Sequence, residues 1–143
     1  MKPTDITVHT KNGAYDISAN LRLVGRDLLV AISGGTSPHI GAVAVAQPRP
    51  SLKDSNLRSA TASVICLPAH KEDDLAKAAA EVLAAATNVA VVVTAGIHWD
   101  DLSPEGIVAV TENTQILLSL ILEEIAKNWP FLLSTAKEDN EHS

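Results

Sequence analysis

The spacing of hydrophobic residues changes once along this chain, and the change divides it into a strand-rich part and a helix-rich part. Up to Leu67 apolar residues recur at every second position, as in "AYDISANLRLVG", which is the period of a half-buried β-strand. After Pro68 they recur at helical spacing, as in "HKEDDLAKAAAEVLAAAT". The pattern predicts an α+β fold, because strands come first and helices follow.

About five strands are predicted before Pro68, and their short connections favour antiparallel pairing. "DITVHT" and "NGAYDIS" are predicted to form a hairpin, and residues 47–57 a polar loop. Past the first helix, "NVAVVVTAGIH" has no polar alternation and is predicted to be a buried central strand. A short helix is expected to begin at Ser103-Pro104, followed by a longer one that ends before Pro130. The predicted architecture is an antiparallel sheet of five to six strands followed by an α-β-α segment.

The length of 143 residues fits one domain, predicted over residues 1–133 with a polar, disordered tail at 134–143. The net charge of −6 argues against nonspecific nucleic-acid binding. Cys66, the lone cysteine, excludes an internal disulfide framework and is predicted to be buried and inert. With no signal-peptide run at the start and no stretch of about 18 apolar residues, the chain is expected to be soluble and cytoplasmic.

The predicted long helix is apolar over more than half of its circumference. A surface helix has an apolar stripe little wider than about 100°. The remaining apolar surface would be covered either by other elements of the fold, if the helix is sandwiched between them, or by a second subunit. We expect a homodimer through residues 113–126.

Polar clusters stand at the ends of three predicted elements. The first, "GGTSPHIG", contains Thr36, Ser37 and His39. Successive backbone N–H groups around Gly34-Gly35 can form an anion-binding concavity. The plain alternative is a hairpin turn, for which a glycine pair is also suited.

The second cluster, "PAHKEDD", places His70 and Lys71 at a helix start, where exposed N–H groups attract anions. Its plain alternative is a solvated helix end whose carboxylates match the dipole. The third, "AGIHWDD", supplies His98, Trp99 and Asp100 after the most buried strand, a place where ligand sites collect. If the three ends converge, His39, His70, His98 and Asp100 could hold Zn²⁺ or another divalent ion, or line a pocket for a phosphorylated ligand.

In their order and spacing, "GGTSPHIGAVAVA", "HKEDDLAKAAAEVLA" and "AGIHWDDLSPEGI" resemble the prenylated-flavin chaperone family, which includes gallate decarboxylase D subunits. The resemblance covers roughly residues 14–127. It implies a fold similar to that of proteasome-assembly chaperones, often dimeric. It further implies a protein that is not a catalyst, but binds prenylated FMN and helps deliver it to a UbiD-type decarboxylase.

The resemblance points to eleven functional or framework positions: Gly34, Gly35, Pro38, His39, Gly41, His70, Lys71, Asp73, Gly96, His98 and Asp100. Combined with the chemistry of the clusters, it predicts these cofactor contacts: Gly34, Gly35, Thr36, Ser37, His39, His70, Lys71, His98, Trp99 and Asp100. Two alternatives stay open at this point. One is a small metal-dependent enzyme with a metal-bound water as nucleophile, and the other is a pure assembly module in which the histidines are structural.

Overall fold

The computed structural model describes residues 2–67 and 72–133. Six strands and two helices occur in these ranges, with short 3₁₀ helices at Gly13–Tyr15 and Pro130–Leu133. The predicted tail at 134–143 lies outside the described residues, so the domain boundary at 133 stays a prediction. The strands are β1 (Asp5–His9), β2 (Ile17–Val24), β3 (Asp27–Gly35), β4 (Ala42–Pro50), β5 (Arg58–Cys66) and β6 (Val91–His98), and the helices are α1 (Asp73–Thr87) and α2 (Pro104–Asn128).

The strands form one sheet in the order β1-β2-β3-β6-β4-β5. All neighbours are antiparallel except β3 and β6, which run parallel. This arrangement confirms the predicted α+β fold, the hairpin of the first two strands and the central place of "NVAVVVTAGIH". A parallel pair needs a long crossover, and the chain between β3 and β6 provides it through β4, β5 and α1.

Both helices pack on the same face of the sheet. Helix α1 lies against β4, β5 and β6, and α2 lies against β1 and β2. Alternate residues of the strands point into this layer, so the core is mainly aliphatic. Trp129, just after α2, is fully buried there, and its indole N–H donates to the Pro3 carbonyl at 2.7 Å. The fully buried strand residues include Ala19, Leu21, Val30, Ala44, Ala46, Val91, Val93 and Ala95.

Three local predictions from the sequence are wrong. Gly34-Gly35 does not make a hairpin, because β6 lies between β3 and β4. The loop predicted from Gln47 starts only after Pro50, because β4 stays paired with β5 as far as Pro50. Its pairing with β6 stops at Ala46, so the prolines beyond Ala46 have only one neighbouring strand, a position that proline tolerates. Cys66 is exposed rather than buried, because it is the last residue of edge strand β5.

Helix α2 is one continuous helix of 25 residues, where the sequence had indicated a short helix and a longer one. Its start is confirmed, because the Ser103 hydroxyl accepts a hydrogen bond from the Gly106 amide at 3.0 Å. By length and composition alone, this helix is apolar enough to cross a membrane. A stripe of it is nevertheless fully buried on the sheet: Leu117, Ile121 and Ile125.

The apolar surplus on α2 is largely accounted for within the protomer. Leu118, Leu120 and Leu122 are partly buried against the core, and the outermost positions of residues 113–126 are mostly polar or small. The structure therefore removes much of the reason for placing a dimer interface there. Homodimerisation through residues 113–126 stays a prediction from the sequence.

Asp16 stabilises the connection between β1 and β2. Burial raises the pKa of its carboxyl, but hydrogen bonds from the Thr10 hydroxyl and the Lys11 amide, together with nearby His9, outweigh burial and lower that pKa below its ordinary value. A carboxyl with a lowered folded-state pKa contributes stability above its unfolded pKa of about 4, and that contribution is lost as pH falls through the folded value.

We therefore expect Asp16→Asn to lower the melting temperature by a few degrees at pH 7. The difference from the unsubstituted protein should shrink as the pH falls below about 4, because the unfolded chain then takes up a proton at Asp16 before the folded protein does, and the contribution is gone below the lowered folded pKa. Thermal unfolding followed by circular dichroism at pH 7 and pH 3 measures both differences. An equal loss at the two pH values would contradict this interpretation.

Candidate functional site

The carboxyl ends of β3 and β6 meet at one edge of the sheet. The two strands are parallel and in register, with Gly35 opposite His98. The first and third polar clusters of the sequence follow directly from these ends. The predicted convergence is therefore confirmed for these two clusters, and polar groups from distant parts of the chain share one edge.

The connection from β3 turns at once onto the end of β6. The Thr36 and Ser37 amides donate to the His98 carbonyl at 2.8 and 3.3 Å. Gly35 has a φ of +93°, and an added Cβ would lie 1.9 Å from the His98 oxygen, so only glycine fits. The anion-binding concavity predicted for this turn is not supported in its simple form, because two of its amides are already bound to protein.

The same connection then crosses over β6 at Gly96. A Cβ built on Gly96 would lie 1.7 Å from the His39 carbonyl oxygen. The two backbones can approach this closely because residue 96 has no side chain. After the crossing, the Gly41 amide donates to the Ala95 carbonyl at 2.9 Å and β4 begins.

The His39 imidazole links this crossing loop to the start of α1. Its Nδ1 lies 2.9 Å from the Ser37 carbonyl, and its Nε2 lies 3.1 Å from a carboxylate oxygen of Glu72. The same oxygen also accepts from the Ile97 amide at 3.4 Å. Both side chains are mostly buried, at 24% exposed for His39 and 13% for Glu72. His39 thus occupies a bridging position between the loop and the helix.

His98 and Asp100 form a second pair that faces solvent. The His98 Nε2 lies 3.0 Å from the Asp100 carboxylate, and the side chains are 52% and 74% exposed. Trp99, between them, is only partly exposed and meets the Tyr15 ring edge-to-face, with centroids 5.5 Å apart. The exposed imidazole is the group here that can reach a ligand, and Trp99 packs on the protein.

Glu72 is a site residue that the sequence did not single out. It was interpreted as one of three carboxylates matching the dipole of the first helical turn, of which Asp73 and Asp74 do lie in that turn. The motif did contain a signal that the helix dipole does not explain, because Glu72 directly follows a histidine and a lysine. An apolar residue also lies on the crossing loop, where Ile40 is 56% exposed.

The predicted metal site is not supported. Across residues 2–67 and 72–133, no group of three or more histidine, cysteine, aspartate or glutamate side chains is placed to hold a metal ion. His39 faces Glu72, and His98 faces Asp100. His70 and Lys71, predicted to contact the cofactor, lie outside the described residues.

The chain was compared with known proteins. Residues 11–126 match the family model described as "Prenylated flavin chaperone LpdD-like domain". Protein LpdD of Lactiplantibacillus plantarum is 46% identical over 37 residues, which cover 26% of this chain and 27% of that protein. A solved chain from a chaperone complex for yeast 20S proteasome assembly superposes with a TM-score of 0.51 at 18% identity, covering 87% of this chain and 95% of that one. The solved chain shows the fold alone, and the matched stretch spans about a quarter of the length of LpdD.

Proposed function

The chain belongs to the family of prenylated flavin chaperones with an LpdD-like domain, and from this premise we propose that it is a non-catalytic carrier. It binds prenylated FMN reversibly in the cytoplasm and delivers it to a UbiD-type decarboxylase. The observation that carries the proposal is the meeting of two family motifs at the ends of β3 and β6. The two motifs are neighbours there, because the Thr36 amide donates to the His98 carbonyl at 2.8 Å.

The exposure of the two imidazoles favours one position for the phosphate. An FMN phosphate carries about −1.5 to −2 charges, like other phosphomonoesters. Each imidazole has a carboxylate beside it, Glu72 for His39 and Asp100 for His98, but the His98 side chain is 52% exposed and the His39 side chain only 24%. The exposed residues Thr36 and Ser37 are bound through their amides to the His98 carbonyl. We place the phosphate on the His98 side, and we expect Lys71 and His70 to add positive charge to it.

The flavin ring needs a flat apolar surface. Ile40 on the crossing loop and Leu67 after β5 are both exposed, and the Leu67 amide donates to the Gly41 carbonyl at 2.8 Å, so the two residues flank the same strand start. An aliphatic wall gives less ring stacking than an aromatic one. Moderate affinity of this kind suits a carrier, because its cargo must leave.

Flavin retention tests the proposal. The purified protein is incubated with prenylated FMN, desalted, and its absorbance spectrum recorded. We expect the desalted protein to retain about one flavin per site. On mixing with an apo decarboxylase of the UbiD type, we expect the flavin to be transferred and decarboxylase activity to appear. Colourless protein after desalting, even at excess flavin, would overturn the proposal.

A matched pair of variants locates the site. Ile40→Asp should weaken retention about tenfold, because it removes the apolar wall and adds a negative charge near the phosphate. Ile107→Asp on α2 is the control, since Ile107 is 55% exposed and Ile40 is 56% exposed. Equal retention by the two variants would show that the flavin binds elsewhere.

A further inference from the structure

The connection between β1 and β2, residues 10–16, lies at the same edge of the sheet as the candidate site. Strand β2 begins with Ile17 opposite Gly34 at the end of β3, and Gly35 lies opposite His98 at the end of β6. None of residues 10–16 is among the cofactor contacts predicted from the sequence. The fold nevertheless places them beside the two strand ends that carry the site.

An aromatic pair packs this connection onto the turn that follows β6. The Tyr15 ring meets the Trp99 ring edge-to-face, with centroids 5.5 Å apart, and Trp99 directly follows His98. The Tyr15 hydroxyl lies against the start of α2, where a Cβ built on Gly106 would stand 2.9 Å from it. Neighbouring strands are about 4.8 Å apart, so β2 and β6 are separated by roughly 10 Å. The two rings bridge this distance.

Asn113 fixes the connection from the helix layer. Its side chain is almost fully buried on α2, at 2% exposed. The amide nitrogen donates to the carbonyls of Tyr15 and Asn12 at 2.6 and 3.3 Å, and the amide oxygen accepts from the Asn12 side chain at 3.0 Å. Asp16 holds the other end, where it accepts from the Lys11 amide. A buried polar group whose atoms are all paired gives rigidity, so the exposed side chains of the connection have fixed starting points.

Lys11 is the cation that the connection brings to this edge. As far as the structure describes them, the connections at this edge contain one lysine or arginine, Lys11, and four carboxylates. Lys11 is exposed and has no ion-pair partner within residues 2–67 and 72–133. Its ammonium group is therefore available to an anionic ligand. The carboxylates are Asp16, Glu72, Asp100 and Asp101.

The strand order separates Lys11 from Glu72. Strands β1, β2 and β3 lie on one side of β6, and β4 and β5 lie on the other. Helix α1, which follows Glu72, packs against β4, β5 and β6. The side of β6 that carries Lys11 is thus the side away from the Glu72 carboxylate. A phosphate forms its strongest hydrogen bonds with charged donors, and a lysine offers a point charge on a flexible stem.

We propose that Lys11 binds the phosphate of prenylated FMN, so that the β1–β2 connection forms a third part of the site beside the crossing loop and the turn after β6. This inference rests on the proposed carrier function and adds a source of specificity to it. The ammonium group makes the carrier select flavins that have a phosphate over flavins that lack one. Tyr15 and Asn113 are positioning residues, because they act by holding the connection in place.

A comparison of two flavins tests the inference. Dissociation constants are measured for prenylated FMN and for its dephosphorylated form, prenylated riboflavin, by quenching of tryptophan fluorescence. Lys11→Ala should weaken binding of prenylated FMN about tenfold, the effect of one charge-assisted hydrogen bond. It should leave binding of prenylated riboflavin unchanged, because the ammonium group meets only the phosphate. Lys11→Arg should retain most of the affinity, since arginine also binds phosphate.

Lys127→Ala is the control, because Lys127 is an exposed lysine in the last turn of α2. It changes the net charge by the same amount, roughly 35 Å along the helix from its start near the site. We expect it to bind both flavins like the wild type. Circular dichroism checks that the variants are folded.

Three results would overturn the inference while leaving the carrier function in place. They are a wild type that binds both flavins equally well, a Lys11→Ala variant that binds prenylated FMN like the wild type or loses both flavins equally, and equal losses in Lys11→Ala and Lys127→Ala. A wild-type protein that binds neither flavin would overturn the carrier function and the inference together.

Discussion

Gly96→Ala is expected to destabilise the protein by about 3 kcal/mol, since forcing a methyl group into a closed contact has a cost of this order. The new Cβ would stand 1.7 Å from the His39 carbonyl oxygen, and backbone on both sides leaves no flexible side chain to yield. The crossing loop must therefore lift off β6. We expect flavin retention to fall at least tenfold as well, because the loop carries Ser37 and Ile40. Urea unfolding and the desalting assay measure the two effects.

Gly34→Ala is the matched control for this substitution. Gly34 is also a sheet glycine, one residue before the end of β3, but its added Cβ would meet its first neighbour, the Asp16 carbonyl oxygen, only at 3.2 Å. A small shift accommodates that contact, so we expect less than a third of the Gly96→Ala effect. If the two variants are equally stable and both retain flavin, the loop does not cross at Gly96 as described.

The second large effect is expected at the pair that joins the loop to α1. Glu72→Ala should destabilise the protein by about 2 kcal/mol, because it leaves a mostly buried imidazole without its carboxylate neighbour, and should weaken flavin retention about tenfold. His39→Ala should act on the same contact. A double-mutant cycle should therefore give a coupling energy of about 1 kcal/mol or more, as expected for residues in direct contact.

Asp74→Ala provides the control for Glu72→Ala. It also removes one carboxylate from the start of α1, so any effect of the helix dipole is shared by the two variants. We expect its effect on both stability and flavin retention to be small. Additive effects of His39→Ala and Glu72→Ala, or an equal loss in Asp74→Ala, would show that the pair does not hold the loop.

The layers of the fold were predictable because hydrophobic period reports burial directly. Ile17, Ala19 and Leu21 alternate with polar residues and are buried, and Val91–His98 lacks polar alternation at its centre because it is the central strand of the sheet. Strand order was not predictable, since period does not encode which strand pairs with which. The glycine pair therefore suggested a hairpin, and the insertion of β6 beside β3 was missed.

The site was partly predictable for a similar reason. His39 and His98 stand at element ends, and element ends of a sheet meet at its edges. The contact between His39 and Glu72 was hidden, because a carboxylate at a helix start already has an ordinary explanation in the dipole. The resemblance pointed to Gly96 as a functional or framework position, but not to its role, because a glycine in a strand does not reveal which backbone passes over it.

The central claim is that prenylated flavin binds where the crossing loop meets the end of β6. Amide ¹H–¹⁵N spectra of labelled protein, recorded during titration with prenylated FMN, test it most directly. We expect the largest shifts at Thr36–Gly41 and Ile97–Asp100, with small shifts on α2. Saturating flavin that leaves these two segments unshifted, or that shifts α2 instead, would contradict the account.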